Sequence, residues 1–254
     1  MNYKDTYTAS TENPEAFWKD QADAIRWFTK PESILSSDEN GYPLWYKDGE
    51  LNVCYLALDK HIEDGFGDQV AIIYDSPVTQ TIKKYTFLEV KTEVAKLAGG
   101  MQSLGLKKGD TTVIYMPMIP EAVVAMQAVA RIGAIHSVIF GGFSAESLSS
   151  RIEDAQAKLV ITADGGYRKG RASALKPAVD EALSEGRCPS VENVLVVKRT
   201  NQEVGWVEGR DIDWSLAMAE ASDEHEAKAF PAEQPLFILY TSGTTGKPKG
   251  ILHT

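Results

Sequence analysis

Hydrophobic and polar positions alternate between two patterns along the middle of the chain. Continuous apolar runs occur at 111–116, 135–140, 158–163 and 192–197, and between them apolar residues recur at helical spacing. Strands buried on both faces read as continuous apolar runs, and their alternation with helices is typical of a parallel sheet covered on both sides. The pattern therefore predicts an α/β fold with a mostly parallel sheet flanked by helices.

The predicted helices have recognisable ends. Thr86 and Glu89 form a T-x-x-E capping box before apolar residues spaced four and three apart, and Gly105 is typical of a residue that ends a helix. Further helices are predicted at 120–132, from Ser144 onward and at 172–184.

The first 60 residues lack this alternation. A helix is predicted to begin at Asn13 and Pro14, which suit an N-cap and a first helical turn. The following residues are mixed, and aromatic side chains are expected to pack there as a small cluster: Trp27, Phe28, Trp45 and Tyr46. We therefore divide the chain into an N-terminal extension, residues 1–60, and part of a larger domain, residues 61–254.

Four further segments complete the predicted order of elements. Residues 69–74 and 80–85 are expected to be strands around a turn. Residues 199–232 are polar and acidic, and they predict a surface connection. Residues 236–240 are apolar and predict a last strand that leads into the terminal loop.

Composition and charge narrow the class of partner. The chain has 26 Lys and Arg against 36 Asp and Glu, a net charge of −10, which disfavours binding to nucleic acid or to a membrane surface. No unbroken apolar span of about 20 residues occurs. Cys54 and Cys188 are too few for a disulfide framework, so we expect a cytoplasmic protein.

The sharpest candidate for chemistry is the loop at 241–250, TSGTTGKPKG. Its glycines permit close approach of the backbone to a ligand, and its hydroxyls, amides and lysines are donors that suit a polyphosphate. It is not a Walker A loop, because only two residues separate Gly243 from Gly246. Pro248 and Ile251 predict that the loop leads into a strand. The alternative is a flexible hairpin without function.

Two further loops follow predicted strands. Arg168, Lys169 and Arg171 place three positive charges within four residues, which favours a bound phosphate or else forms a solvated basic turn. Gly141 and Gly142 permit either close approach to a ligand or tight packing of a helix on a strand.

The histidines carry no predicted chemistry. All four are isolated in the sequence without metal-ligand spacing, so no protein metal site is predicted. His136 lies in an apolar strand and is expected to be a core residue with satisfied hydrogen bonds.

YTSGTTGKPKG resembles the phosphate-loop signature of the AMP-forming adenylating enzymes. Other segments resemble the short-chain acyl-CoA synthetases among them: PEAFW, LNVCYLALDKH (51–61), YMPMIPEAVVAMQAVARIGAIHSVIFGGFS (115–144) and ITADGGYRKGR (161–171). IIYDSPVT (72–79) is more similar to the propionyl branch and GYRKGR to the acetyl branch, with a slight balance toward propionate.

The resemblance implies a reaction in two steps. A short-chain carboxylate attacks the α-phosphate of ATP with Mg²⁺ present, and CoA then displaces AMP from the acyl-adenylate. The ATP phosphates would be bound by Thr241, Ser242, Gly243, Thr244, Thr245, Gly246, Lys247 and Lys249. CoA would be bound by Phe140, Gly141, Gly142, Arg168, Lys169, Gly170 and Arg171.

Enzymes of this family are much longer than 254 residues. We therefore expect an N-terminal portion, inactive alone, whose catalytic residues lie beyond Thr254 in the remainder of its own chain. The alternatives are a stand-alone module that binds nucleotide or CoA without catalysis, and an adenylating enzyme for a longer or aromatic acid.

Overall fold

The computed structural model of the protein describes residues 2–219, 221–241 and 248–254. In chain order its strands are β1 (Leu35–Ser37), β2 (Pro43–Trp45), β3 (Glu50–Leu51), β4 (Val70–Ser76), β5 (Thr81–Thr86), β6 (Thr111–Met116), β7 (Ile135–Phe140), β8 (Leu159–Ala163), β9 (Gly165–Arg168), β10 (Arg171–Ala174), β11 (Asn193–Val197), β12 (Asp211–Asp213), β13 (Phe230–Pro231), β14 (Phe237–Thr241) and β15 (Lys249–His253). The α-helices are α1 (Tyr3–Glu12), α2 (Pro14–Ala22), α3 (Phe87–Ser103), α4 (Pro120–Arg131), α5 (Ala145–Asp154), α6 (Lys176–Ala182) and α7 (Trp214–Ala219).

The main sheet of the described residues contains seven strands in the order β12-β11-β8-β6-β7-β14-β15. All neighbours in it are parallel except β14 and β15, which are antiparallel. The predicted α/β fold with a mostly parallel sheet is confirmed.

Helices cover both faces of this sheet. Ile114 and Met116 of β6 pack in a core with α3, α4 and α7, whereas the alternate residues Val113 and Tyr115 pack in a second core with α5 and α6. A strand sends successive side chains to opposite faces, so a strand between two helical layers must be apolar throughout. This explains the continuous apolar runs.

The predicted ends of α3 are confirmed. The Thr86 hydroxyl accepts a hydrogen bond from the Glu89 amide at 3.2 Å, and the Glu89 carboxylate accepts one from the Thr86 amide at 2.8 Å. Gly105 follows the helix with φ +89°, a conformation that glycine adopts without strain.

The N-terminal segment contains α1, which the sequence analysis did not predict, and α2, which begins after Asn13 as predicted. The aromatic cluster forms in part as expected, with ring centroids 5.4 Å apart for Trp27 and Tyr46 and 6.0 Å apart for Trp45 and Tyr46. Phe28 packs against Tyr55 instead, at 5.0 Å.

Two predicted elements are wrong in their bounds or nature. The helix predicted at 172–184 begins only at Lys176, because residues 171–174 pair with β9 as a strand. The segment 199–232, predicted as a surface connection, supplies β12 at the edge of the main sheet. Asp211 is buried there because Lys176 and Arg210 both donate to its carboxylate at 2.7 Å.

No helix among the described residues is long and apolar enough to cross a membrane.

Candidate functional site

The carboxyl ends of β6, β7, β8, β11 and β14 share one edge of the sheet, because these strands are all parallel. In open α/β sheets this edge is the usual position of a ligand crevice. All three loops that the sequence analysis singled out begin at this edge, after Phe140, Ala163 and Thr241 respectively.

The turn after β7 is packed tightly against its neighbours. A methyl group added to Gly141 would lie 3.3 Å from the carbonyl oxygen of Met116 and 3.5 Å from Leu175, whereas the Phe140 ring is 73% exposed. The packing interpretation of Gly141 is therefore supported by the structure. The exposed ring of Phe140 remains free to contact a ligand.

The basic segment forms a β-hairpin. β9 and β10 are antiparallel, with Arg168 directly opposite Arg171, and the two residues between them have positive φ, +51° for Lys169 and +76° for Gly170. Positive φ at both central residues is typical of a tight type I′ hairpin turn. The basic segment is therefore an exposed turn within a hairpin, and both interpretations given above, a phosphate site and a solvated basic turn, remain open.

The hairpin presents its charges to solvent. Arg168, Lys169 and Arg171 line an open depression of about 540 Å³ together with Ala172 and Ser173. Within the described part of the chain, no carboxylate forms an ion pair with these three cations. The depression is thus a positively charged surface with donors available to an anion.

The base of the hairpin adjoins the turn after β7. A methyl group on Gly166 would lie 3.3 Å from Pro117 and 3.8 Å from Leu175, the same leucine that adjoins Gly141. The structure therefore brings the Phe140–Gly142 turn and the basic hairpin together.

Asp164 fixes the start of the hairpin. Its buried carboxylate accepts hydrogen bonds from the amides of Gly165, Arg199 and Thr200 at 2.6, 2.7 and 2.9 Å. One side chain thereby connects the end of β8 with the residues that follow β11.

The predicted phosphate loop lies between two antiparallel strands. Thr241 at the end of β14 is opposite Lys249 at the start of β15, so the prediction that the loop leads into a strand is confirmed. The other predicted phosphate-binding residues, 242–247, lie outside the described residues.

Arg151 connects the strand before this loop with the turn after β7. Its guanidinium carbon lies 4.8 Å from the centre of the Phe143 ring and 5.4 Å from that of Tyr240. The Tyr115 hydroxyl donates to the Phe143 carbonyl at 2.9 Å, which fixes the other side of the turn. Arginine stacks well on aromatic rings because its guanidinium is planar.

Four further residues adjoin these loops and were not predicted from the sequence: Asp164, Arg199, Arg151 and Tyr240. Asp164 and Arg199 did carry a signal, because each lies within two residues of the carboxyl end of a predicted buried strand. Arg151 lies on a helix and gave no local signal, since its partners are distant in sequence.

Histidine and cysteine side chains lie away from these loops. The prediction that His136 has satisfied hydrogen bonds is wrong, because its buried Nδ1 finds no hydrogen-bond partner among the described residues. Burial lowers the pKa of His136 to about 4. Cys54 and Cys188 are buried free thiols, and burial raises the pKa of Cys54 to about 11. Over the described residues no group of three His, Cys, Asp or Glu side chains could hold a metal ion.

Residues 60–254 match the family model described as AMP-binding enzyme, and residues 3–57 match that of the acetyl-coenzyme A synthetase N-terminus. Because the first match covers most of the chain, the protein belongs to the family of AMP-binding enzymes. The resemblance found in the sequence is confirmed.

Similar proteins carry the name acetyl-coenzyme A synthetase. The chain is 57% identical to that of Streptomyces avermitilis over 94% of its own length and 36% of the relative's, and 47% identical to that of Salmonella typhimurium over 99% and 39%. A solved structure, acetoacetyl-CoA synthetase from Streptomyces lividans, superposes with a TM-score of 0.88 at 28% identity, over 99% of this chain and 38% of that one. The chain thus spans little more than a third of the length of these relatives.

Proposed function

We propose that this chain is part of an AMP-forming acid–thiol ligase, which joins a short carboxylate to CoA through an acyl-adenylate. The observation that carries the proposal is that a cationic hairpin, without an ion pair among the described residues, and the β14–β15 loop both begin at one edge of the sheet. ATP and CoA are both polyanions, and each loop has the donors that phosphates require.

The loop at 241–249 would hold the β- and γ-phosphates of ATP. Its glycines let backbone amides approach the phosphates, and Lys247 and Lys249 would neutralise part of their charge. Holding the triphosphate in place orients the α-phosphate for attack by the carboxylate, and such positioning is the main contribution a protein makes to phosphoryl chemistry.

The basic hairpin would hold phosphates of CoA. Arg168 and Arg171 would form charge-assisted hydrogen bonds with them, and Lys169 would add a third positive charge. The exposed ring of Phe140 and the backbone at Gly141 and Gly142 would line the path of CoA toward the adenylate.

Acetate is the first substrate to test, because the relatives named above are acetyl-coenzyme A synthetases. They give no support to the slight preference for propionate drawn from residues 72–79. Mg²⁺ would enter with ATP and screen its phosphates; the described residues offer it no cluster of ligands, so we assign it none.

We further propose that residues 1–60 form an extension and residues 61–254 part of the adenylation domain, in a cytoplasmic enzyme. The adenylation lysine and the acyl pocket would belong to a longer gene product, and this chain alone would be inactive.

The test is acetate-dependent exchange of pyrophosphate into ATP, followed by formation of the thioester with CoA. The gene-encoded protein is expected to carry out both, with propionate and butyrate as comparisons, whereas the 254-residue chain is expected to carry out neither. A gene that stops after codon 254, with a product that binds CoA without exchange, would support the stand-alone binding module instead.

A further inference from the structure

We propose that Arg199 is a positioning residue that holds the basic hairpin in place for the phosphates of CoA. The inference rests on the proposed function of the hairpin, and it adds a residue that lies about 30 positions away in sequence from Arg168 and Arg171. Its own side chain need not touch the ligand.

The hairpin has few connections with the rest of the molecule. β9 and β10 pair only with each other among the described strands, and all four residues of β10 are exposed. Isolated two-stranded hairpins are marginal in water, so contacts at their sides decide their orientation. Tyr167, which directly precedes Arg168, makes such a contact.

Arg199 packs against that tyrosine. Its guanidinium carbon lies 5.4 Å from the centre of the Tyr167 ring and 5.7 Å from that of Tyr74. Its Nη2 donates hydrogen bonds to the Tyr74 hydroxyl at 2.6 Å and to the Ser76 hydroxyl at 3.1 Å. Arg199 thus bridges the hairpin to β4, a strand of a different sheet.

The backbone of Arg199 is fixed independently of its side chain. Its amide donates to the Asp164 carboxylate, which also accepts from the amide of Gly165 at the start of the hairpin. The guanidinium therefore projects from a point that is itself tied to the base of the hairpin, and a change of side chain leaves this anchor intact.

The chemistry of the contact requires arginine in particular. Both hydrogen-bond acceptors are neutral hydroxyls, and within the described residues no carboxylate forms an ion pair with Arg199. An ion pair is therefore not what holds the residue here. A guanidinium can contact an aromatic ring with its face while it donates hydrogen bonds from its edge, whereas the single ammonium group of a lysine cannot make both contacts at once.

The experiment compares R199M and R199K with K198M in the gene-encoded protein. Lys198 is the matched control, because its ammonium pairs with Asp213 at 2.6 Å and its loss removes the same charge one residue away. Three quantities are measured in each variant: hydrogen exchange of the amides at 165–174 in the free protein, the KM for CoA, and the rate of acetate-dependent ATP–pyrophosphate exchange.

In both Arg199 variants we expect faster hydrogen exchange of the amides at 165–174 and a KM for CoA raised on the order of tenfold. The rate of ATP–pyrophosphate exchange should stay near normal. K198M should leave all three unchanged. Unchanged hydrogen exchange in R199M, or equal loss in both half-reactions, would overturn the role of Arg199.

A different result would count against the proposed function itself. If the hairpin exchanges faster in R199M but the KM for CoA stays the same, Arg199 does position the hairpin, and the hairpin is not where CoA binds. The Y167A variant provides an independent check, because it removes the ring while leaving all charges in place, and it should reproduce both effects of R199M.

Discussion

The phenolic hydroxyl of Tyr240 donates a hydrogen bond to the carboxylate of Asp154 at 2.7 Å, which ties the end of β14 to helix α5. Burial and the neighbouring carboxylate raise the pKa of Tyr240, so the hydroxyl keeps its proton and continues to donate at all physiological pH values. The residue directly precedes Thr241 and the predicted phosphate loop. Its orientation therefore sets where that loop begins.

The Y240F variant should weaken the ATP half-reaction. It retains the ring against Arg151 but loses the hydrogen bond to Asp154, a loss of about 1 kcal/mol. We expect a severalfold higher KM for ATP in pyrophosphate exchange. Tyr42, which is 69% exposed, supplies the control Y42F, and equal kinetics of the two variants would contradict the prediction.

The R168A variant should weaken the use of CoA while it leaves adenylation near normal. Each charge-assisted hydrogen bond contributes about 1.5–3 kcal/mol, so the KM for CoA should rise on the order of ten- to a hundredfold. R187A removes the same charge and serves as control, because within the described residues the Arg187 side chain donates to its near neighbours at 181 and 184. Equal loss in both half-reactions would show that Arg168 does not act through CoA.

Substitutions in the predicted phosphate loop should impair the ATP half-reaction rather than the use of CoA. K247A and G246A should impair ATP–pyrophosphate exchange first, because that half-reaction needs the triphosphate and does not need CoA. Single-turnover transfer from a preformed acyl-adenylate to CoA is the comparison. A normal rate of ATP–pyrophosphate exchange in K247A would show that Lys247 does not bind the phosphates of ATP.

The D59N variant should destabilise the fold without altering either loop. Arg131 is 1% exposed, and its guanidinium donates to both carboxylate oxygens of Asp59 at 2.7 and 2.9 Å. Removal of one partner of a buried ion pair costs about 3–5 kcal/mol, measured as the free energy of unfolding in urea. E63Q breaks the exposed pair with Arg26 and should cost less than about 1 kcal/mol.

The stability of the protein should fall in mild acid because of His136. Burial lowers its pKa from 6.5 to about 4, so between these values the unfolded chain binds a proton that the native protein does not. The native state therefore loses up to about 3 kcal/mol as the pH falls from 6.5 to 4, and nothing further from this group below 4. The free energy of unfolding in urea, measured from pH 6.5 to 4, should change less steeply with pH in H136Q than in the unmodified protein. An identical dependence on pH would contradict the assignment.

The sequence predicted the bounds of β6 and β7 well, because a continuous apolar run surrounded by turn residues has one natural interpretation in an α/β fold. The hairpin at 165–174 was not predicted, since its turn depends on Lys169 adopting a positive φ that nothing in its own side chain favours. β12 was missed for another reason: one of the donors that pair with the buried Asp211 carboxylate is Lys176, which lies 35 positions away in sequence.

The same limit applies to the candidate site. Lys169, Arg168 and Arg171 stand out locally as three charges within four residues, so the sequence alone was enough to propose them. Arg199 acts through Tyr74 and Tyr167, and such a contact between distant segments is visible only when the chain is folded.

The direct opposition of Arg168 and Arg171 across the hairpin turn has a consequence for the unliganded molecule. Like charges that face each other across two strands repel, typically by a few tenths to about 1 kcal/mol. A phosphate placed between them would replace this repulsion with two attractions. The tip of the hairpin is then less stable without an anion than with one, and the bound anion would act as a counter-charge between the two strands.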